Sequence, residues 1–244
     1  MTLSDQRTAI RHLLDERQPG DALADYYAYY HPQQRTQLVI HPAGAGRADG
    51  YIGISRTAVD LFRPFVTMRL PLDDHSACWE LITKALPPAA SIILYAPAEY
   101  EPLLRAFFEI ESEDRLQVLV LDRGRYEPII NVLVTQSEGS NGLPRFMIRS
   151  TQDRSQILTA SSLNWQTDYF AELSVFTAPE QRRQGRGRSV VAAMCQHLLD
   201  NGRTPLYAVS ESNLASRRLA ESTGFVDLGI RRLLLQATRK EQPG

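Results

Sequence analysis

The sequence predicts an α/β chain, and three observations carry that expectation. Helical and strand-like patterns alternate along both halves. The apolar fraction, 43% of 244 residues, is enough for one large core or two modest ones. One stretch of the second half runs strand, glycine-spaced loop and helix, an order suited to anion binding.

In the first half, Ser4 or Asp5 can cap a helix whose apolar stripe is Ile10, Leu13 and Leu14, ended by Pro19-Gly20. Asp21 is expected to cap a second helix, with Leu23, Tyr26, Tyr27 and Tyr30 at helical spacing. We read those tyrosines as packing. Strands are expected over 36–41, 51–56, 65–70, 91–95 and 116–121, and helices over 74–86 and 99–109. Gly44 and Gly46 precede a strand, so they read as turn chemistry.

The second half is taken to begin at Pro128. Residues 129–135 are strand-like, 137–142 form a turn, and 143–149 and 156–163 are further strands. Residues 171–177, AELSVFT, read as a half-buried strand leading through Ala178-Pro179-Glu180 into Gln181-Arg182-Arg183-Gln184-Gly185-Arg186-Gly187-Arg188. From Ser189, Val190, Val191, Met194, Cys195 and Leu198 keep helical spacing to Asn201-Gly202. A strand over 205–209, a helix from Asn213 to Gly224-Phe225, a strand over 228–235 and a polar tail complete the chain.

Gly185 and Gly187 lack a Cβ, so the backbone there can approach a ligand closely and turn N–H groups toward one point. The first helical turn adds unpaired donors and the positive end of the dipole. Arg182, Arg183, Arg186 and Arg188 add charge suited to a pyrophosphate, although Arg186 and Arg188 could equally face solvent. Val190 stands where a dinucleotide fingerprint needs a third glycine, and no Gly-Lys-Ser/Thr is present, so both better-known phosphate motifs are excluded. A net charge of -1 makes the arginine cluster a local feature and favours a small anionic ligand over nucleic acid.

Arg182-Arg183-Gln184-Gly185-Arg186-Gly187 resembles motif A of the GNAT acyltransferases, Arg/Gln-x-x-Gly-x-Gly/Ala. The strand over 205–209 and the helix from Asn213 to Gly224-Phe225 resemble the family's motif B. The resemblance implies a tandem GNAT-like fold, with a central mixed sheet flanked by helices in each half. It divides the chain into a degenerate N-terminal domain (1–127) and a catalytic domain (128–244). In the first half Arg69-Leu70-Pro71-Leu72-Asp73 stands where motif A would be, so that half is not expected to bind acyl-CoA.

The function implied is N-acyl transfer from acetyl-CoA or another acyl-CoA to a primary amine of a small molecule or peptide. The loop Arg182–Arg188 would hold the pyrophosphate. The backbone of Val175, Phe176 and Thr177 would line the pantetheine arm, and Asn213 would cap its helix or touch that arm. An ammonium acceptor with a pKa near ~10.4 must lose a proton before attack, and Glu172 is the candidate base, its other reading being an exposed strand carboxylate. The family's tyrosine acid is replaced by Ala220, with Ser216, Tyr207 or water as substitutes. A CoA-binding module without catalysis is the alternative function. Cys78 and Cys195 read as buried thiols, and no metal, nucleic-acid or membrane partner is expected. A cytoplasmic location is expected; the oligomeric state is open.

Overall fold

The computed structural model describes residues 1–57 and 60–241. The chain forms two compact units: unit 1 is Met1–Leu116 with Arg231–Gly244, and unit 2 is Gln117–Ile230. The predicted division after Glu127 therefore differs from the compact one. The reason is that two long strands, Phe108–Leu121 and Phe225–Arg239, each change unit along their length.

Unit 1 opens with α1 (Leu3–Ile10) and α2 (Ala22–Asp25), then β1 (Thr36–His41), β2 (Gly50–Ser55), β3 (Phe65–Arg69), α3 (His75–Ala85), β4 (Ser91–Pro97), α4 (Glu101–Phe107) and the first part of β5 (Phe108–Leu121). Thr2, not Ser4 or Asp5, caps α1. Its hydroxyl accepts from the Asp5 N–H while the Asp5 carboxylate accepts from the Thr2 N–H, a reciprocal capping box. Asp21 caps nothing with its side chain; its carboxylate instead accepts from the Asp15 N–H and pairs with Arg69. Tyr26–Tyr30 form one π-turn, and Tyr27 stacks on Phe65 with ring centroids 4.5 Å apart, so this part of the tyrosine stripe is packing.

The sheet of unit 1 runs β1-β2-β3-β4-β11-β5, where β11 is Phe225–Arg239. β1, β2 and β3 are joined antiparallel, β3 and β4 are parallel, and β11 is antiparallel to β4 from Arg232 to Thr238. Leu233, Leu235 and Ala237 of β11 complete the core formed by β2, β3, β4, α3 and α4. The strand expected over 228–235 thus runs from Phe225 to Arg239, into the first residues of the polar tail expected from Thr238; residues 242–244 lie outside the described residues.

Unit 2 contains β6 (Thr135–Glu138), β7 (Pro144–Arg149), β8 (Ile157–Gln166), β9 (Phe170–Thr177), α5 (Arg186–Asp200), β10 (Thr204–Ser210) and α6 (Leu214–Thr223). The strand order is β5-β10-β9-β8-β7-β6. The core lies between this sheet and the α5–α6 layer. Leu119 and Leu121 of β5 pack there with Ala171, Leu173, Val191, Met194, Cys195, Leu198 and Ala220. Both cysteines are free and buried. Among the described residues no helix is long and apolar enough to cross a membrane.

One expected strand is absent. Residues 129–134 form an irregular segment in which Ile130 and Val132 are 95% and 91% exposed. The Asn131 side chain accepts from the Leu133 N–H and donates to Ser189 Oγ, and the Val134 N–H donates to the Asn131 carbonyl. These local bonds turn a β-branched run that has no ladder partner. Leu119→Ala should therefore destabilise the full chain by about 2–5 kcal/mol, whereas Ile130→Ala should change stability by less than about 0.5 kcal/mol; urea unfolding of both variants distinguishes these outcomes.

Candidate functional site

The parallel strands β9 and β10 pair over Phe170–Glu172 and Thr204–Leu206, while β9 continues to Thr177 and β10 to Ser210. Beyond Glu172 and Leu206 they part. The Ala178 N–H donates to the Leu158 carbonyl on β8. By strand alternation the backbone groups of Ser174 and Phe176 face β8 as well, and those of Leu173, Val175 and Thr177 face the opening. Of the three predicted arm-lining residues, Val175 and Thr177 thus present their backbone to the opening. Phe176 does not: its carbonyl accepts from Thr159 Oγ1 at 2.8 Å, and its side chain is 54% exposed on the other face.

The C-terminal end of β9 leads through a 3-10 turn, Pro179–Gln181, to the start of α5. Gly185 is the N-cap of α5 at φ +74°, a left-handed conformation that suits glycine. No side chain caps this helix, so its first-turn N–H groups have no intrahelical acceptor. Arg183 is also left-handed, at φ +59°. Arg182 Nε donates to the Thr177 carbonyl at 3.4 Å, and Gln184 Nε2 to the Glu180 carbonyl at 3.2 Å. Arg182, Arg183 and Gln184 are exposed.

Arg186 and Arg188 differ from their neighbours. Both are half-buried, and Arg186 Nη1 and Arg188 Nε lack a hydrogen-bond partner among the described residues. A buried guanidinium nitrogen without an acceptor is costly, and an anion would relieve it. The donor set at this helix end therefore fits a phosphate-bearing ligand.

At Gly187 the missing side chain serves packing. A Cβ there would lie 3.3 Å from Thr177 Oγ1 and 3.4 Å from Leu219 Cδ2, so the absent side chain lets the start of α5 close on both β9 and α6. At the start of α6, Asn213 Oδ1 accepts from the Ser216 N–H at 3.1 Å, the N-cap role.

Glu172 lies where β9 is still paired on both sides, with Trp165 on β8 and Leu206 on β10. It shares its face with Ser174 and Phe176, opposite the face that packs under α5. Glu172 Oε1 accepts from Asn164 Nδ2 at 2.7 Å. Desolvation pushes its carboxyl above the ordinary range, against hydrogen bonds from Asn164 and Trp165 that pull it down. Asn164 went unnoticed in the sequence because it falls at an irregularity in the β8–β9 register, which no local pattern reveals.

The segment β3–α3–β4 repeats this design in unit 1 without its polar features. β3 and β4 are parallel and pair over only Phe65–Thr67 and Ile93–Tyr95. The first turn of α3, however, is capped by its own Asp74 carboxylate, which accepts from the Ala77 N–H. The Leu70 N–H, just past β3, donates to the buried Tyr100 hydroxyl. A carboxylate occupies the helix end that an anion would need.

Residues 158–232 match the FR47-like protein family. By sequence, no curated protein is matched by the chain. Solved structures share its fold at low identity. A Drosophila protein aligns with a TM-score of 0.65 at 15% identity, covering 96% of this chain and 88% of its own. A tandem GNAT protein from the clavulanic acid biosynthesis pathway gives 0.60 at 12%, over 97% and 94%. A GNAT-family acetyltransferase from Colwellia psychrerythraea gives 0.58 at 12%, over 99% and 98%.

Gly187→Val should lower stability by about 1–3 kcal/mol without any ligand, because its branches must enter the Thr177–Leu219 contact. Gly185→Ala meets no atom within 4 Å and should lose only the left-handed conformational term, about 1–2 kcal/mol; urea unfolding of both reads the difference. The chain has the fold of the GNAT acetyltransferases, and its match to the FR47-like family spans the parted strands, the glycine loop and both helices beside it.

Proposed function

We propose that the chain is an N-acyltransferase that takes an acyl group from acetyl-CoA, or another acyl-CoA, and passes it directly to a primary amine of a small molecule or peptide. The observation that carries this reading is the opening between β9 and β10, which ends at an uncapped helix flanked by two half-buried arginines with unpartnered nitrogens. The two free, buried thiols suit a reducing compartment such as the cytoplasm.

In this reading Arg186, Arg188 and the first-turn N–H groups of α5 hold the pyrophosphate, with Arg182, Arg183 and Gln184 around it. Val175 and Thr177 offer backbone hydrogen bonds to the extended arm. Glu172 accepts the proton that the amine must shed, directly or through water, and a carboxyl raised by desolvation is a stronger base than an exposed one. Asn164 holds that carboxylate in place. A CoA-binding module without turnover is the second reading. It is favoured by Ala220, which is fully buried and brings no hydroxyl to the position where the resemblance expects a tyrosine.

Calorimetry should find one acetyl-CoA per chain, since the corresponding helix end of unit 1 is capped by Asp74. The double variant Arg186→Ala/Arg188→Ala should bind at least tenfold more weakly, about 1.4 kcal/mol. Two equivalent sites, or unchanged affinity in the double variant, would overturn the assignment. Thiol release on a panel of primary amines separates the enzyme from the silent module.

Glu172→Gln should keep acetyl-CoA affinity while turnover on an accepted amine falls by roughly 10²-fold or more. Its stability should also report the raised carboxyl. Glu172 holds its proton more tightly folded than unfolded, so its contribution is fullest below the unfolded pKa and fades as pH rises through the folded one. The variant should gain on wild type in melting temperature as pH rises from 4 to 7. A constant difference over that range contradicts the raised carboxyl.

A further inference from the structure

The face of the β6–β9 sheet that carries Glu172 holds a cation that neither cofactor anchoring nor proton removal uses. Phe146 and Ile148 of β7 face α5, where Phe146 meets the His197 ring and Ile148 packs with Val190. By strand alternation Arg145 therefore lies on the opposite face. Strand register sets it in one row with Ser137 of β6, Ser162 of β8 and Ser174 of β9, and Glu172 shares that face two residues from Ser174. Arg145 and Glu172 are thus about 10 Å apart across the sheet and about 7 Å along it. The side chains between them, Ser162 and Ser174, are small, and Ser174 is exposed. At the far end of the row, Arg145 and its strand partner Ser137 are half-buried, and Arg145 Nε and Ser137 Oγ lack a hydrogen-bond partner among the described residues. A cleft of about 360 Å³, lined by Gln136, Ser137, Glu138, Gly142 and Pro144, adjoins them. The Glu138 carboxylate belongs to the other face by the same alternation. Two neighbouring buried donors without an acceptor are costly, and a carboxylate within reach of both would relieve that cost, in a geometry the guanidinium fork matches.

We propose that the amine acceptor also carries a carboxylate, which Arg145 and Ser137 bind while the amine faces Glu172. The inference names the acceptor class for the acyl-CoA reading above and rests on it. A cation at one end of the row and a carboxylate diagonally across from it fit a dipolar molecule, its carboxylate toward Arg145 and its ammonium toward Glu172. A simple amine would leave the guanidinium nitrogen and the serine hydroxyl unpaired in the complex, and that difference discriminates against it. Both side chains are long and can lean along the face, so the spacing of amine and carboxylate in the acceptor is read from a series of chain lengths.

The test reads binding and needs no turnover. Glycine, β-alanine, γ-aminobutyrate and δ-aminovalerate, and the amide of each, are titrated by calorimetry into the full chain saturated with CoA. The best acid should bind at least tenfold more tightly than its own amide, about 1.4 kcal/mol. Arg145→Gln should bring that acid to the level of its amide with CoA affinity unchanged. Arg145→Lys, which keeps the charge without the planar fork, should retain part of the preference, and Ser137→Ala should lose a smaller part of it. If no acid outbinds its amide in wild type, or if the preference survives in Arg145→Gln, the proposal is overturned and the cofactor assignment stands. Failure of wild type to bind CoA removes the acyl-CoA reading itself, and the acceptor class falls with it. Melting curves on all three variants confirm that each titration reports a folded chain.

Discussion

The early parting of β9 from β10 is the constraint on which the candidate site depends. Parallel strands ordinarily continue their ladder, because an unpaired backbone N–H or C=O away from water is costly. Here the ladder stops after three pairs. On one face Ala171, Leu173 and the half-buried Val175 pack in the same core as Val191, Met194, Cys195 and Leu198 of α5, each fully buried Val, Leu or Met side chain contributing about 1.5–3 kcal/mol. The absent side chain at Gly187 lets α5 begin close against Thr177 and Leu219. The result is a row of backbone groups facing the opening, of which the Thr177 carbonyl accepts from Arg182, followed by the uncapped first turn of a helix. Both invite an extended ligand with an anionic end.

Unit 1 shows how little must change to close such a design. Its β3–α3–β4 segment has the same order, the same parallel pairing and the same three-residue ladder. Asp74 supplies the helix end with a carboxylate, and Tyr100 takes up the first backbone N–H beyond β3. Two donors are taken there, and a negative charge is resident at the helix start. The two units thus share the order strand, helix, parallel strand and differ in the polar groups at the start of that helix.

Much of this was legible in residue order. The alternation of AELSVFT placed the inward face of β9 correctly, with Leu173 buried and Ser174 exposed, because a strand carries its own period. Gly185 in left-handed conformation and Asn213 as a cap follow from residue chemistry alone. Residues 129–134 misled for the same reason. Their β-branched composition signals a strand, yet a strand needs a neighbour, and Asn131 turned the chain locally instead. The compact units divide before Gln117 and not after Glu127, because Leu119 and Leu121 belong to the core of unit 2.

The sequence by itself determined the local elements, the glycine loop and the charge around it, since propensity, capping and spacing are properties of neighbouring residues. Only the tertiary structure decided which arginines are left with unpartnered nitrogens, which backbone groups face the opening, and that Asn164 meets Glu172 and Tyr207 meets Ser216. Those facts depend on strand register and on helices crossing the sheet, and long-range register is set by the sum of core packing, which no local window of residues contains.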